Sequence, residues 1–215
     1  MTVQWPDGLT ARAAIVALVL AVWPSDRLAA QLSFHVALGA RYSSTLVHDS
    51  IAAPFDIRPA ISPALLVIVR GELEANWSAD ASIDVTPSSL IRHEGGSAID
   101  IGSMAVVALS IGMRREISSA FSARAGIGAI RYIAGEEAGG LFREGSGGLI
   151  PMGTVATTYT PKFGARRRLA FEARYDLHRF ITPAMRTQGF RESRPVHRIA
   201  LVARLGWAAG PAPSP

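Results

Sequence analysis

The feature that most constrains this chain is an alternation of period two that returns eight times after Gln31, apolar on one parity and polar or small on the other. Successive side chains of an extended strand point to opposite faces, so the pattern predicts strands with two chemically different faces. In the first segment Phe34, Val36, Leu38, Ala40 and Tyr42 oppose His35, Ala37, Gly39 and Arg41. The second sets Leu65, Val67, Val69, Gly71 and Leu73 against Leu66, Ile68, Arg70, Glu72 and Glu74, and the third Ala79, Ala81, Ile83 and Val85 against Asp80, Ser82, Asp84 and Thr86. The fourth has the clearest apolar face, Ile99, Ile101, Ala105, Val107, Leu109, Ile111 and Met113, with Asp100, Gly102, Ala108, Ser110 and Gly112 opposite. The fifth turns Arg124, Gly126 and Gly128 away from Phe121, Ala123, Ala125, Ile127 and Ala129; the sixth, weaker, runs from about Leu149 to Tyr159. The seventh is the most diagnostic, because Glu172, Arg174, Asp176 and His178 are four successive ionisable positions on one face. The eighth opposes Ile199, Leu201, Ala203, Leu205 and Trp207 to Arg198, Ala200, Val202 and Arg204.

A soluble sheet buries the apolar face and shows the charged one to water, whereas a membrane barrel does the reverse. Periodicity alone does not separate the two. The links between strands do, because they alternate in length: 43–62 long, 75–78 short, 91–98 long, 114–119 short, 135–147 long, 161–167 short, 181–193 long. Membrane barrels have short turns at one rim and longer extracellular loops at the other. The expected fold is therefore all-β, a closed antiparallel eight-stranded up-and-down transmembrane β-barrel over residues 31–207. A soluble lipocalin-like barrel has no general reason for this alternation. Trp77, Tyr159 and Trp207 fall at the short-turn rim, and Tyr42 and Tyr132 toward the long-loop rim. All five are expected at the membrane interfaces, which favour amphipathic rings.

The N-terminus carries an apolar run, Ala13 to Trp23, after Arg12 and before Leu28-Ala29-Ala30. It is too short for the roughly 20 apolar residues of a spanning helix and reads as a signal peptide, residues 1–30, cut after Ala30. Without cysteine, an exported chain has no disulfide framework and no thiol chemistry. The net charge of +5 rests on arginine, since Lys162 is the only lysine. These arginines are spread singly through the strands and form no contiguous basic stripe, so a nucleic-acid partner is not expected. Pro211, Pro213 and Pro215 make residues 208–215 an expected disordered tail.

The pattern resembles the small eight-stranded outer-membrane barrels typified by the OmpA transmembrane domain and OmpX. The resemblance is architectural and covers residues 31–207. Its most specific part is the last strand, whose outward Ile199, Leu201, Ala203, Leu205 and Trp207 resemble the signal read by the outer-membrane assembly machinery. The tail after Trp207 departs from the family, where that aromatic usually ends the chain. The resemblance implies an outer-membrane location, with lipid and lipopolysaccharide as surroundings.

The parities gather Arg41, Arg70, Arg124, Arg174, Arg198 and Arg204 inside the barrel with Glu72, Glu74, Asp80, Asp84, Asp100, Glu172 and Asp176. An eight-stranded barrel is just wide enough for side chains to fill, so these groups are expected to pair as a structural core rather than line an open channel. The inward glycines, Gly102, Gly112, Gly126 and Gly128, either make room for arginine or relieve curvature. His35, His48, His93, His178 and His197 show no ligand spacing, so neither a metal nor a cofactor is expected. A lipid-modifying enzyme stays open as an alternative, although the outward faces offer little beyond Ser103 and Thr157. Specific activity is expected in the loops, whose partner the sequence does not name; 43–62 is the longest, with Ile51, Pro54, Phe55 and Ile57 forming either a partner patch or a fold-back onto the rim.

Overall fold

The computed structural model describes residues 32–49, 54–73, 76–135, 138, 142, 148–161, 169–187, 189 and 193–208. The expected signal peptide and its cleavage site, most of the Pro-rich tail, and Glu74 lie outside the described residues. Among the described residues ten strands and one short helix follow in chain order: β1 (Leu32–Ser43), β2 (Val47–Asp49), β3 (Phe55–Pro59), β4 (Ser62–Glu72), β5 (Trp77–Glu94), β6 (Ser97–Glu116), β7 (Phe121–Ala134), β8 (Ile150–Tyr159), β9 (Leu169–Phe180), α1 (Pro183–Thr187) and β10 (Arg194–Ala208).

Eight of the strands close into a ring. Its order is β4, β1, β10, β9, β8, β7, β6, β5, and the β4–β5 pairing completes it; every pairing is antiparallel. Closure leaves no lateral edge within the ring, which is what lets strands stand in lipid without unpaired backbone groups. The two remaining strands, β2 and β3, belong to the first long link and pair onto β5 beyond the end of β4, from Leu90 to Glu94. The sequence treated that stretch as loop. It is instead a small sheet, β2-β3-β5-β6, continuous with the barrel wall.

The third link is a correction of the same kind. Residues 91–98 are not a long loop: β5 and β6 continue through them and turn at Gly95 and Gly96, whose φ values are 55° and 84°. A two-residue turn with both central residues at positive φ matches the twist of the flanking strands, and glycine adopts it without steric cost. As a result β6 is 20 residues long. At about 3.3 Å per residue and a tilt of about 40° it rises roughly 50 Å, twice the apolar band of about 25 Å typical of such barrels. About half of the β5–β6 hairpin therefore stands clear of the lipid.

Alternation sorts the side chains as the sequence predicts. Leu38, Ile111, Ile127 and Leu201 are more than 60% exposed, while Arg41, Arg114, Glu172, Asp176 and Arg198 are about 1% exposed. Aliphatic groups outside and ions inside invert a water-soluble fold, so the solvent of the outer face is lipid. Phe34, Trp207, Phe171, Tyr159, Phe121 and Trp77 form an exposed girdle at the short-turn rim. Phe34 pairs in register with Trp207, and Phe121 and Phe171 flank Tyr159. Tyr42 and Tyr175 flank Ile199 toward the other rim.

Glycine has two uses on the inner wall. A Cβ at Gly112 would lie 2.8 Å from the Ala125 carbonyl oxygen and 2.9 Å from the Arg124 guanidinium, so this glycine both lets the backbones approach and makes room for arginine. At Gly126 and Gly128 a Cβ would meet backbone first, 2.3 Å from the Ile111 carbonyl oxygen and 2.0 Å from that of Leu109. Those two serve the close approach of β7 to β6.

Candidate functional site

The interior is the part of the molecule where unusual chemistry gathers. Each inward arginine is placed by strand parity, and its carboxylates come both from neighbouring strands and from strands further round the barrel. Toward the short-turn end, Asp80 on β5 accepts from Arg124 Nε at 2.5 Å and from Arg114 Nε at 3.4 Å. Arg114 also donates from Nη2 to Glu172 Oε2 at 2.8 Å, and from Nη1 to Ser122 and Thr158. Glu172 on β9 further meets Arg204 at 3.3 Å and Arg174 at 3.4 Å. Halfway up, Ser82 and Ser110 share a hydrogen bond of 2.8 Å, while Arg174 donates to Ser82 and Arg124 to Ser110. Above them Arg41 bridges Asp84 and Asp176, at 2.8 Å from the latter, and Arg198 stands 3.8 Å from Asp176. One planar guanidinium reaches several acceptors at once, which lysine's point charge does not, and this accounts for arginine as nearly the only basic residue.

Of the predicted interior set, Arg41, Asp80, Asp84, Arg124, Glu172, Arg174, Asp176, Arg198 and Arg204 are buried and Arg70 partly so. Two predicted members are not inside. Glu72 is exposed at the rim where β4 ends, and Asp100 is exposed on the projecting part of β6, where its Oδ1 accepts the Gly102 amide at 2.9 Å. Glu72 has the inward parity but stands beyond the height of the packed interior, whereas a bulge between Asp100 and Ser103 shifts the register by one residue, so Asp100 pairs with outward-facing Ile91. Arg114, assigned by the sequence to a short turn, is instead a central member, because β6 continues to Glu116. The extension of the apolar alternation by one more pair, Met113 and Arg115 outward around Arg114, was the available signal. Arg115 lies against the Trp77 ring, its Cζ 5.5 Å from the centroid.

The charge balance differs accordingly. Among the described residues seven arginines meet four carboxylates inside, not six meeting seven.

The opposite wall is apolar: Ala37, Ala64, Leu66, Ile68, Ala200 and Val202 pack together across β1, β4 and β10. The long-loop mouth is capped. Leu46, Val47 and Ile57 from the first link, Phe142 from the fifth and Met185 from α1 are buried against Met104, Ile130, Met152, Phe180 and Val196 of the wall. The first link thus folds back over the rim, with Phe55 beneath the Arg92 guanidinium at 4.4 Å. Tyr132 belongs to this cap. Expected at the lipid interface, it is buried, with its ring edge-on to Phe180 at 4.8 Å and its hydroxyl 2.7 Å from His178 Nε2. The physical reason is parity: 132 shares the inward face of Arg124 and Gly128. Tyr42, Trp77, Tyr159 and Trp207 point outward.

The remaining histidines pair locally rather than with one another. His48 bonds Asp56 at 2.8 Å, His93 accepts from Arg58 at 3.0 Å, and His197 meets the Tyr175 hydroxyl at 2.7 Å. Of the two outward hydroxyls considered for catalysis, Ser103 and Thr157, both are exposed. Ser103 lines a crevice of about 490 Å³ beside a bulge in β6, together with Ser89, Asp100, Ile101 and Gly102.

No protein-family model matches the sequence, and no curated protein matches it. Solved structures do match in fold. Neisserial surface protein A aligns at a TM-score of 0.53 and 8% identity over 83% of this chain and 97% of its own. The outer-membrane protein AlkL in lipid bilayers aligns at 0.53 and 10% identity over 100% of both chains. Ail of Yersinia pestis has 13% identity over 82% of this chain and 99% of its own, at a TM-score of 0.48. A lipid-facing outer wall, a charged packed interior and the likenesses to Neisserial surface protein A and AlkL together give the chain the fold of the small eight-stranded outer-membrane β-barrels, and make it an integral outer-membrane protein.

Proposed function

We propose that this is a non-enzymatic surface protein whose barrel is an anchor and whose working part is the sheet raised above the membrane. The observation that carries this reading is the contrast between the two ends of β5 and β6. Below, the strands enclose a barrel filled with ion pairs and capped by apolar side chains. Above, they continue as an ordered sheet with β2 and β3 that exposes His48, Arg58 and Ile99. A plugged eight-stranded barrel gives solutes no aqueous path, whereas a rigid sheet held clear of the lipid suits contact with other surfaces.

Lipopolysaccharide is the surrounding that fits the outer wall near the cap. Arg131 and Arg179 are exposed there on the outward parity, opposite in charge to lipid phosphates. The outward row of β10 ending in Trp207 fits recognition by the assembly machinery.

The test replaces residues 88–103 by a short turn. The variant is expected to keep a heat-modifiable, β-rich barrel while cells expressing it lose surface attachment or resistance to detergents. Unchanged attachment and unchanged resistance would refute the surface role. Lipid A from cells with and without the gene is expected to give the same mass spectrum; a new acylation or deacylation product would overturn the non-enzymatic reading.

A further inference from the structure

The excess of buried arginine is not spread evenly. Toward the short-turn end, Arg70, Arg114, Arg124 and Arg204 share two buried carboxylates, Asp80 and Glu172. Arg70 sits directly across from Asp80 in the β4–β5 register, yet forms no ion pair among the described residues. Both oxygens of Asp80 are already occupied by Arg124 and Arg114. Arg70 Nε and Nη2 are enclosed with no acceptor.

Arg204, 4% exposed, has one ionic contact, to the same Glu172 Oε2 that receives Arg114 and Thr158, and its Nε has no acceptor. Arg204 and Arg114 converge on that one oxygen, and Arg114 meets the Asp80 that stands across from Arg70. Nearby carboxylates at the rim, Glu72 and Glu116, are exposed and solvated, so they neutralise little.

Water satisfies a hydrogen-bond donor but leaves the charge. Two uncompensated positive charges in an interior of low dielectric call for a counter-ion. We propose that the short-turn end of the barrel binds a small monovalent anion, of chloride size, between Arg70, Arg204 and Arg114. Beside Arg204, Gly206 packs against the His35 ring, which a single added carbon would approach to 2.3 Å, so that wall of the site is closed. Access is from the periplasm, since the other mouth is capped.

The experiment uses the folded barrel in detergent at constant ionic strength, with chloride exchanged against gluconate. The urea midpoint of the wild type is expected to rise saturably with chloride. Arg70→Leu and Arg204→Leu should lose that saturable rise and unfold later than the wild type in gluconate, because each removes an unneutralised cation. Arg115→Leu, on the outer wall against Trp77, should keep the chloride response. An equal, non-saturating response in wild type and Arg70→Leu would show general screening and overturn the proposal; a saturable response to sulfate in place of halide would overturn the assigned size. If the leucine variants do not fold, bromide-soaked crystals of the wild type decide. An anomalous peak among the three guanidinium groups is expected, and none at full bromide exchange would refute the site.

Discussion

Glu172 concentrates the energetics of the interior in one side chain. Its two oxygens meet Arg114, Arg174 and Arg204, and a hydroxyl from Thr158. Removing one partner of a buried ion set leaves the others charged and unsolvated, which typically costs about 3–5 kcal/mol. Glu172→Ala should therefore destabilise the barrel by about that amount in urea unfolding within one lipid. Glu94→Ala, which breaks the half-exposed pair with Arg92, should cost less than about 1 kcal/mol. Equal losses would mean that water enters the interior freely. Tyr132→Phe is a finer probe of the cap, since it deletes only the hydroxyl facing His178. A loss of about 1 kcal/mol is expected by the same unfolding measurement.

At the scale of the strand, most of the fold was legible because one physical rule, alternation, governs every element of the ring. The parity of Glu172, Arg174 and Asp176 follows from Leu169, Phe171 and Tyr175 alone. What escaped were the ends. Gly95-Gly96 falls within the expected third link, although two adjacent glycines between alternating residues are the chemistry of a two-residue hairpin turn. Arg114 escapes because the expected strand stops at Met113 while β6 runs to Glu116, and Tyr132 is assigned by residue type against its own parity. Charge pairing is legible in part: Glu172 with Arg204 and Asp176 with Arg198 follow from the adjacency of β9 and β10, whereas nothing along the strands shows that Asp80 takes Arg124 and Arg114 rather than the Arg70 opposite. The outer face of β7 offers a direct test of alternation. Ile127 is 69% exposed and stands midway along the outward row of β7 from Phe121 to Ile133, in register with Ile111 of β6. Ile127→Arg should cost about 2–4 kcal/mol of folding free energy in bilayers, as expected for arginine near the midplane. Gly128→Ala, one residue on, should instead weaken the β6–β7 pairing, because its Cβ meets the Leu109 carbonyl oxygen. Hydrogen exchange of the paired amides reads this second effect.

The whole molecule is asymmetric along the membrane normal, and that asymmetry fixes its orientation. At one end the described turns are short, as at 117–120, where Ser118 Oγ accepts the amides of Ala120 and Phe121. At the other end the hairpin, β2, β3 and α1 build a cap and a raised sheet. Outer-membrane barrels keep short turns in the periplasm and large loops outside, which puts the hairpin tip on the cell surface. The chain contains no cysteine, so a single introduced thiol reports without background. Ser97 at the hairpin tip and Ser118 in the opposite turn are both exposed. A maleimide that does not cross membranes should label Ser97→Cys on intact cells. Ser118→Cys should react only once the outer membrane is permeabilised. Labelling in the reverse order would invert the orientation and remove the raised sheet from the cell surface, whereas equal labelling of both on intact cells would mean that the chain does not stand in the membrane as a barrel.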